Sequence, residues 1–214
     1  MSRVAIKICG VKTAEAIDAA VRGGASHVGL NYFPPSPRYL APDRVSLIAA
    51  RVPAHVKRVG VLVDPSDDLI DTLVAAGGME IAQLHGRETP ERAAAIRQRT
   101  GLEVWKVISV KTAGDLATGA AYAGAADFLL YDAKTPDGAA LPGGMGLRFD
   151  WRLLAGHRPP LPWGLSGGLD AENVADAVRL TGAPLVDVSS GIESAPGVKD
   201  VAKIADFCRA AQAG

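Results

Sequence analysis

The sequence predicts an α/β fold, a closed (β/α)8 TIM barrel forming a single domain over residues 1–214. Three observations carry this. Short apolar strand-like runs alternate with amphipathic helical stretches, the mark of βαβ units and a parallel sheet. The strand starts fall near residues 4, 27, 57, 80, 103, 126, 161 and 184, a 23-residue repeat broken by two longer gaps of 30 and 35. There are eight such units, which favours a closed barrel over an open doubly wound sheet.

Taken in order, strand Arg3–Ile8 leads to helix Thr13–Arg22, with Thr13 placed as N-cap and Ala16, Ile17, Ala20 and Val21 on one face. Strand His27–Asn31 leads to helix Asp43–Ala50, and strand Val56–Val63 to helix Ser66–Ala76. Strands Met79–Leu84, Leu102–Ile108 and Ala126–Tyr131 are followed by helices Thr89–Arg99 and Thr112–Tyr122 and by a short one at Trp151–Leu154. Strands Leu161–Leu165 and Pro184–Val188 are followed by helices Asp170–Leu180 and Val198–Ala211. Five strands are preceded by a glycine turn, at Gly24, Gly77, Gly101, Gly124 and Gly182. Glycine just past a helix end takes the left-handed conformation without a Cβ penalty, so each reads as helix, stop, strand. The extra residues of the two long gaps fall at Tyr32–Pro42 and Ala133–Asp150, both after the C-terminal end of a strand. Loops at that end of such barrels build the active site.

Composition narrows the functional classes. Apolar residues are 48% and charged residues 21%, and 23 Lys+Arg balance 23 Asp+Glu. A nucleic-acid or acidic-membrane binder normally carries a basic excess, so neither partner is expected. Cys9 and Cys208 lie near opposite ends and form no CxxC, which argues against a disulfide framework or a redox dithiol. The stretch Met-Ser-Arg-Val-Ala-Ile-Lys-Ile-Cys is too short and charged for a signal peptide. No run approaches the ~20 apolar residues of a membrane span. A cytoplasmic protein is expected, monomeric or homodimeric. The four histidines are scattered, and no metal constellation stands out.

Chemistry concentrates at strand ends. Cys9 closes strand 1, and Lys7 faces the same way two residues earlier. The thiol reads either as a base at the mouth or as a small buried hydrophobe. Asp132 closes strand 6 and reads as a general acid or as a loop-bracing carboxylate. Asp64, before Pro65 and Ser66, reads as the start of a helix. The turns Ser166-Gly167-Gly168-Leu169-Asp170 and Ser189-Ser190-Gly191-Ile192-Glu193 follow strands 7 and 8, where barrels often bind phosphate. A phosphorylated small molecule is then the expected substrate. Arg38 follows three prolines in a stiffened loop, either to grip a carboxylate bidentately or as a solvated arginine. His85 ends strand 4 as a rim histidine or a ligand contact.

Together the motifs become specific. Lys7-Ile8-Cys9-Gly10, Phe33-Pro34-Pro35-Ser36-Pro37-Arg38-Tyr39, Gln83-Leu84-His85-Gly86 and Asp132-Ala133-Lys134 stand in that order. Gly143-Gly144-Met145-Gly146, Phe149-Asp150-Trp151, the two glycine turns and Pro196-Gly197-Val198-Lys199-Asp200 complete the set. The chain resembles the phosphoribosylanthranilate isomerases of tryptophan biosynthesis almost end to end. The resemblance implies an Amadori rearrangement that needs no cofactor or metal. It implies Asp132 as general acid, Cys9 as general base, and Arg38 as the holder of the anthranilate carboxylate. It implies Gly167, Gly168, Ser190 and Gly191 at the phosphate, with Asp187 contacting a sugar hydroxyl. An acid/base pair of this kind is expected to have the Asp132 pKa raised by burial and the Cys9 pKa lowered by Lys7. Met145 departs from the family, which usually has a polar residue there, and this bears on how the loop after strand 6 closes. The rival readings are another phosphosugar isomerase on the same barrel and a non-catalytic phosphometabolite-binding barrel.

Overall fold

The computed structural model describes residues 3–136, 138–139 and 141–214. Met1 and Ser2 of the N-terminal stretch, and Asp137 and Ala140 of the long loop 133–150, lie outside the described residues. Eight parallel strands close on themselves in sequence order. They are β1 (Ala5–Cys9), β2 (His27–Asn31), β3 (Lys57–Leu62), β4 (Ile81–Leu84), β5 (Glu103–Val110), β6 (Phe128–Ala133), β7 (Trp163–Leu165) and β8 (Leu185–Val188). The barrel closes where Lys7 of β1 pairs in register with Asp187 of β8.

The helices follow the expected order. They are α1 (Ala14–Arg22), α2 (Val45–Ala49), α3 (Asp67–Ala75), α4 (Pro90–Thr100), α5 (Ala113–Ala117), α6 (Val174–Thr181) and α7 (Val201–Gln212). Thr13, Ser66 and Thr89 cap α1, α3 and α4, each accepting a backbone N–H with its hydroxyl. Gly101 and Gly182 close α4 and α6 in the left-handed conformation, at φ 69° and 67°.

Several boundaries differ for physical reasons. β1 and β6 run further than expected, so Cys9 and Asp132 lie within their strands rather than just beyond them. The expected helix 43–50 opens as a 3₁₀ turn, Pro42–Arg44, before α2. The expected helix 112–122 narrows to a 3₁₀ segment at Thr118–Tyr122 after α5. α6 starts only at Val174, because Asp170 Oδ1 accepts from the N–H groups of Glu172 and Asn173 and holds 170–173 as a turn. Val198 is not helical: Val198–Lys199 pairs antiparallel with Glu193–Ala195. Asp200 then caps α7 by accepting from Ala202 and Lys203.

Strand alternation sorts two apolar layers. Val59, Ile81, Trp105, Val107, Leu130 and Leu185 fill the barrel interior. Ile6, Ile8, Val28, Leu30, Leu129 and Tyr131 point outward into the larger core beneath the helices. At the C-terminal end the inward positions turn polar, and this is where the site lies.

Gly182 gives a clean test of the helix stops. A Cβ there would meet nothing within 4 Å, so alanine costs only its backbone conformation. Gly182→Ala should lower stability by about 1–2 kcal/mol. Urea unfolding should show a lower midpoint with an unchanged slope.

Candidate active site

A pocket opens at the C-terminal mouth of the barrel. Its lining includes Cys9, Arg38, Asp132, Gly167, Gly168, Asp187 and Ser190, contributed by β1, β6, β8 and the loops after β2, β7 and β8. Gly191 stands beside this wall rather than in it: a Cβ there would lie 2.0 Å from the Leu169 carbonyl oxygen. Its lack of a side chain lets the loop after β8 pack on the loop after β7.

Cys9 is buried next to a buried ion pair, Lys7 Nζ to Asp187 Oδ1 at 2.8 Å. Burial pulls the Lys7 pKa down, but the Asp187 carboxylate and then Cys9 outweigh it and hold the ammonium above its ordinary value. The Cys9 thiol departs from expectation. Burial pushes its pKa up and Asp187 adds to this, while Lys7 and Lys199 pull it down without prevailing. The cation meant to acidify the thiol already serves Asp187. Asp187 is also committed on its other side, where Oδ2 accepts from Ser166 Oγ at 3.1 Å.

Asp132 is buried on the opposite side of the mouth. Its Oδ1 accepts from the Ala133 N–H at 2.8 Å. Its Oδ2 lies 3.4 Å from His85 Nε2, which has no hydrogen-bond partner. Gly143 covers the pair, since a Cβ there would lie 2.7 Å from His85 Nε2 and 2.9 Å from Asp132 Oδ2. Below His85, a buried Lys106–Glu88 pair at 2.7 Å fixes the loop after β4. Glu88 accepts from the Asp64 and Gly86 N–H groups, and Lys106 donates to the Gly86 carbonyl. Asp64 braces this loop by accepting from the Arg87 N–H, and Ser66 caps the helix.

Arg38 is buried, not solvated. Its bidentate edge is taken from within the chain: Nε and one terminal nitrogen donate to the two Glu193 carboxylate oxygens, both at 2.7 Å. The other terminal nitrogen lies under Gly144, where a Cβ would come within 2.6 Å. Lys199 joins Glu193 at 2.8 Å and donates to the Ser189 carbonyl, tying the loops after β2 and β8 together. Glu193 loses solvation on burial, yet Arg38 and Lys199 hold its pKa below the usual carboxylate value.

The phosphate candidates form two glycine turns that meet the loop after β6. Gly167 and Gly168 have φ of 91° and 65°. A Cβ on Gly168 would lie 2.2 Å from Arg148 Cγ, and Arg148 donates to the Gly168 carbonyl and to Asp170. Met145, with Phe33, lines the pocket and is 49% exposed. Sequence reasoning missed Glu193, Lys199, Glu88 and Lys106. Their type gave no signal, because ordinary charged residues become informative only when buried against one another.

A thiol and a carboxyl across the mouth of a closed parallel barrel define an enzyme of the barrel class, with its chemistry on the loops. The family model for N-(5′-phosphoribosyl)anthranilate isomerase matches residues 6–210. An isomerase of that name from Paramagnetospirillum magneticum is 51% identical over 211 residues, covering 99% of this chain and 98% of its own length. One from Zymomonas mobilis subsp. pomaceae is 52% identical over 208 residues, covering 97% of each. The crystal structure of the Thermotoga maritima phosphoribosyl anthranilate isomerase matches with a TM-score of 0.86 at 34% identity, covering 97% of this chain and 98% of that one. A phosphoribosyl anthranilate isomerase in complex with reduced 1-(o-carboxyphenylamino)-1-deoxyribulose 5-phosphate matches with a TM-score of 0.84 at 32% identity, with the same coverage. The chain belongs to the N-(5′-phosphoribosyl)anthranilate isomerase family. Its activity is that of an aldose–ketose-type isomerase in tryptophan biosynthesis.

The buried thiol yields a direct test. Ultraviolet titration of the ligand-free protein should show no Cys9 thiolate at neutral pH, with absorbance rising only above the ordinary thiol pKa of about 8.5. Thiolate absorbance already present at neutral pH would contradict the burial argument.

Proposed function

We propose that Asp132 and Cys9 carry the rearrangement as general acid and general base. Asp132 protonates the ring oxygen of the phosphoribosyl group. The C1′–O bond breaks, its electron pair stays with that oxygen, and the anthranilate nitrogen forms a Schiff base at C1′. Cys9 removes the proton at C2′, and the electrons return to nitrogen through an enolamine. Loss of the C2′ hydroxyl proton and protonation at C1′ give the ketose, so the product is an isomer of the substrate. The observation that carries this reading is the location of the two groups on opposite sides of one pocket, each flanked by a different neighbour.

Substrate orientation follows from the same pocket. The free terminal nitrogen of Arg38, beside Phe33 and Met145, suits an aromatic ring bearing a carboxylate. A single donor is offered, since Glu193 holds the bidentate edge. Gly167, Gly168 and Ser190 suit the 5′-phosphate, with backbone N–H groups as donors. Gly191 supports them by letting the two loops meet. Asp187 is bound to Lys7 and Ser166, so its contact with a sugar hydroxyl would be through a remaining lone pair. The raised thiol pKa assigns a task to substrate binding: the complex must shift the Cys9 proton balance toward the base form. A phosphorylated anthranilate ribosyl compound is the substrate class this requires.

The test is a fluorescence progress curve. Phosphoribosylanthranilate is generated in place from anthranilate and phosphoribosyl pyrophosphate by a separate transferase, and its decay is followed with a chelator present. Wild-type protein should consume it rapidly. Cys9→Ala and Asp132→Ala should each lower kcat by about 10²–10⁴-fold, with much smaller changes in KM. Equal loss in KM would remove both residues from the chemical step. Absence of wild-type turnover from folded protein would favour the binding-barrel reading.

A further inference from the structure

An ordinary aspartate is deprotonated near neutral pH, so Asp132 needs a source for the proton it delivers. His85 is placed to be that source. Its Nε2 is buried, has no hydrogen-bond partner and lies 3.4 Å from Asp132 Oδ2. The two side chains are only 11% and 7% exposed. Oδ1 is already engaged by the Ala133 N–H, so Oδ2 is the free oxygen. Such a separation is long for a hydrogen bond, as catalytic contacts often are before substrate tightens them.

Among the described residues, the charged groups around this pair are already engaged elsewhere. From the loops after β3 and β4, Asp64 and Glu88 are occupied by backbone N–H groups, and Glu88 is neutralised by Lys106 of β5. Across the mouth, Lys7 of β1 is neutralised by Asp187 of β8, beside the Cys9 thiol. Arg38, from the loop after β2, and Lys199 share the one Glu193 carboxylate, which leaves that cluster a single positive charge held on the far side of the mouth. Lys134, after β6, turns outward to Asp115. Residues 141–147, which fold over the pair, carry no charge.

We propose that His85 and Asp132 hold one proton between them and act as a single acid, with His85 as a positioning residue that works through Asp132. The proposal rests on the reading of Asp132 as the general acid. The shared proton moves from imidazolium Nε2 to carboxylate Oδ2 and from there to the ring oxygen as the C1′–O bond breaks. The pair is left as imidazole and carboxylate, and regains one proton from solvent before the next turnover.

The experiment is the pH profile of kcat/KM for wild type, His85→Asn, His85→Gln and Asp132→Asn, followed by the fluorescence decay and corrected for spontaneous loss. In wild type the basic limb should report loss of the one proton that the pair shares. His85→Asn and His85→Gln should move that limb to lower pH. Their loss should be about 10²-fold at neutral pH and shrink about tenfold per unit as the pH is lowered. A loss of constant size at every pH, or one confined to KM, would overturn the proposal and leave His85 a structural residue. Full turnover by Asp132→Asn would instead overturn the reading of Asp132 itself, whatever the His85 variants do. The two His85 variants should share one urea midpoint with wild type, and a shift in the limb in only one of them would count against the proposal.

Discussion

The buried pair between Lys7 and Asp187 is the interaction on which the rest of the site depends. It spans the seam where the first strand meets the last, with Lys7 fully buried and Asp187 nearly so at the floor of the pocket. Two charges in such a place lose solvation, and they are tolerated because each neutralises the other at hydrogen-bond distance. Removing either partner would leave a lone buried charge, which is strongly destabilising. The pair also reaches a third strand, since Ser166, just after β7, donates to Asp187. That matters because β7 and β8 share a single registered residue pair, Leu165 with Val186. Side chains inside the barrel thus reinforce the part of the wall where backbone pairing is thinnest. Cys9 stands two residues beyond Lys7 on the same face, so barrel closure and thiol placement are one event.

The loops are held by the same means at a larger scale. Arg38, Glu193 and Lys199 form a buried cluster that joins the loop after β2 to the loop after β8. Lys106 and Glu88 do so for the loop after β4. Glycines then allow close approach where a Cβ would clash. Gly143 comes down over His85 and Asp132, and Gly144 over the Arg38 guanidinium. Gly191 packs on the Leu169 carbonyl. The mouth is therefore a set of loops fixed by ion pairs and brought together at glycines. The preformed wall this creates is what a positioned acid and base require.

Much of this was legible in the residues themselves. Apolar runs after glycine turns marked the strands, and the Thr13 cap and the glycine stops marked helix ends. These are local signals, and they place Cys9, His85, Asp132 and Asp187 on the inward face without knowledge of any partner. The parts that escaped are those set by long-range pairing. Glu193 is distant in sequence from Arg38, and nothing in either segment announces the match. The sign of the Cys9 shift escaped for a related reason: a lysine two residues away was visible, but the burial of the thiol, which outweighs it, is a product of the closed barrel. The late start of α6 had a local cause, the Asp170 turn, which an amphipathic pattern overrides on paper but not in the chain.

The distribution of charge around the mouth gives Asp132 and Cys9, the proposed acid and base, separate environments. β1 and β6 lie on different sides of the closed sheet, with β8 and β7 between them along the shorter path. Had Cys9 and Asp132 been neighbours, a proton would pass between them and neither would keep its role. Instead the thiol sits over an internally neutral Lys7–Asp187 pair, where burial governs it and holds the proton on. The carboxyl sits beside an imidazole under Gly143, in the uncharged segment 141–147. Each group can then respond to substrate on its own. The Arg38–Glu193–Lys199 cluster keeps one net positive charge at the mouth, and a substrate carrying phosphate and carboxylate groups changes that field. Binding, not the empty barrel, must therefore set the base free, and a free protein with a protonated thiol is consistent with an active one. Such an arrangement keeps the nucleophilic form of Cys9 scarce until a substrate is in the mouth.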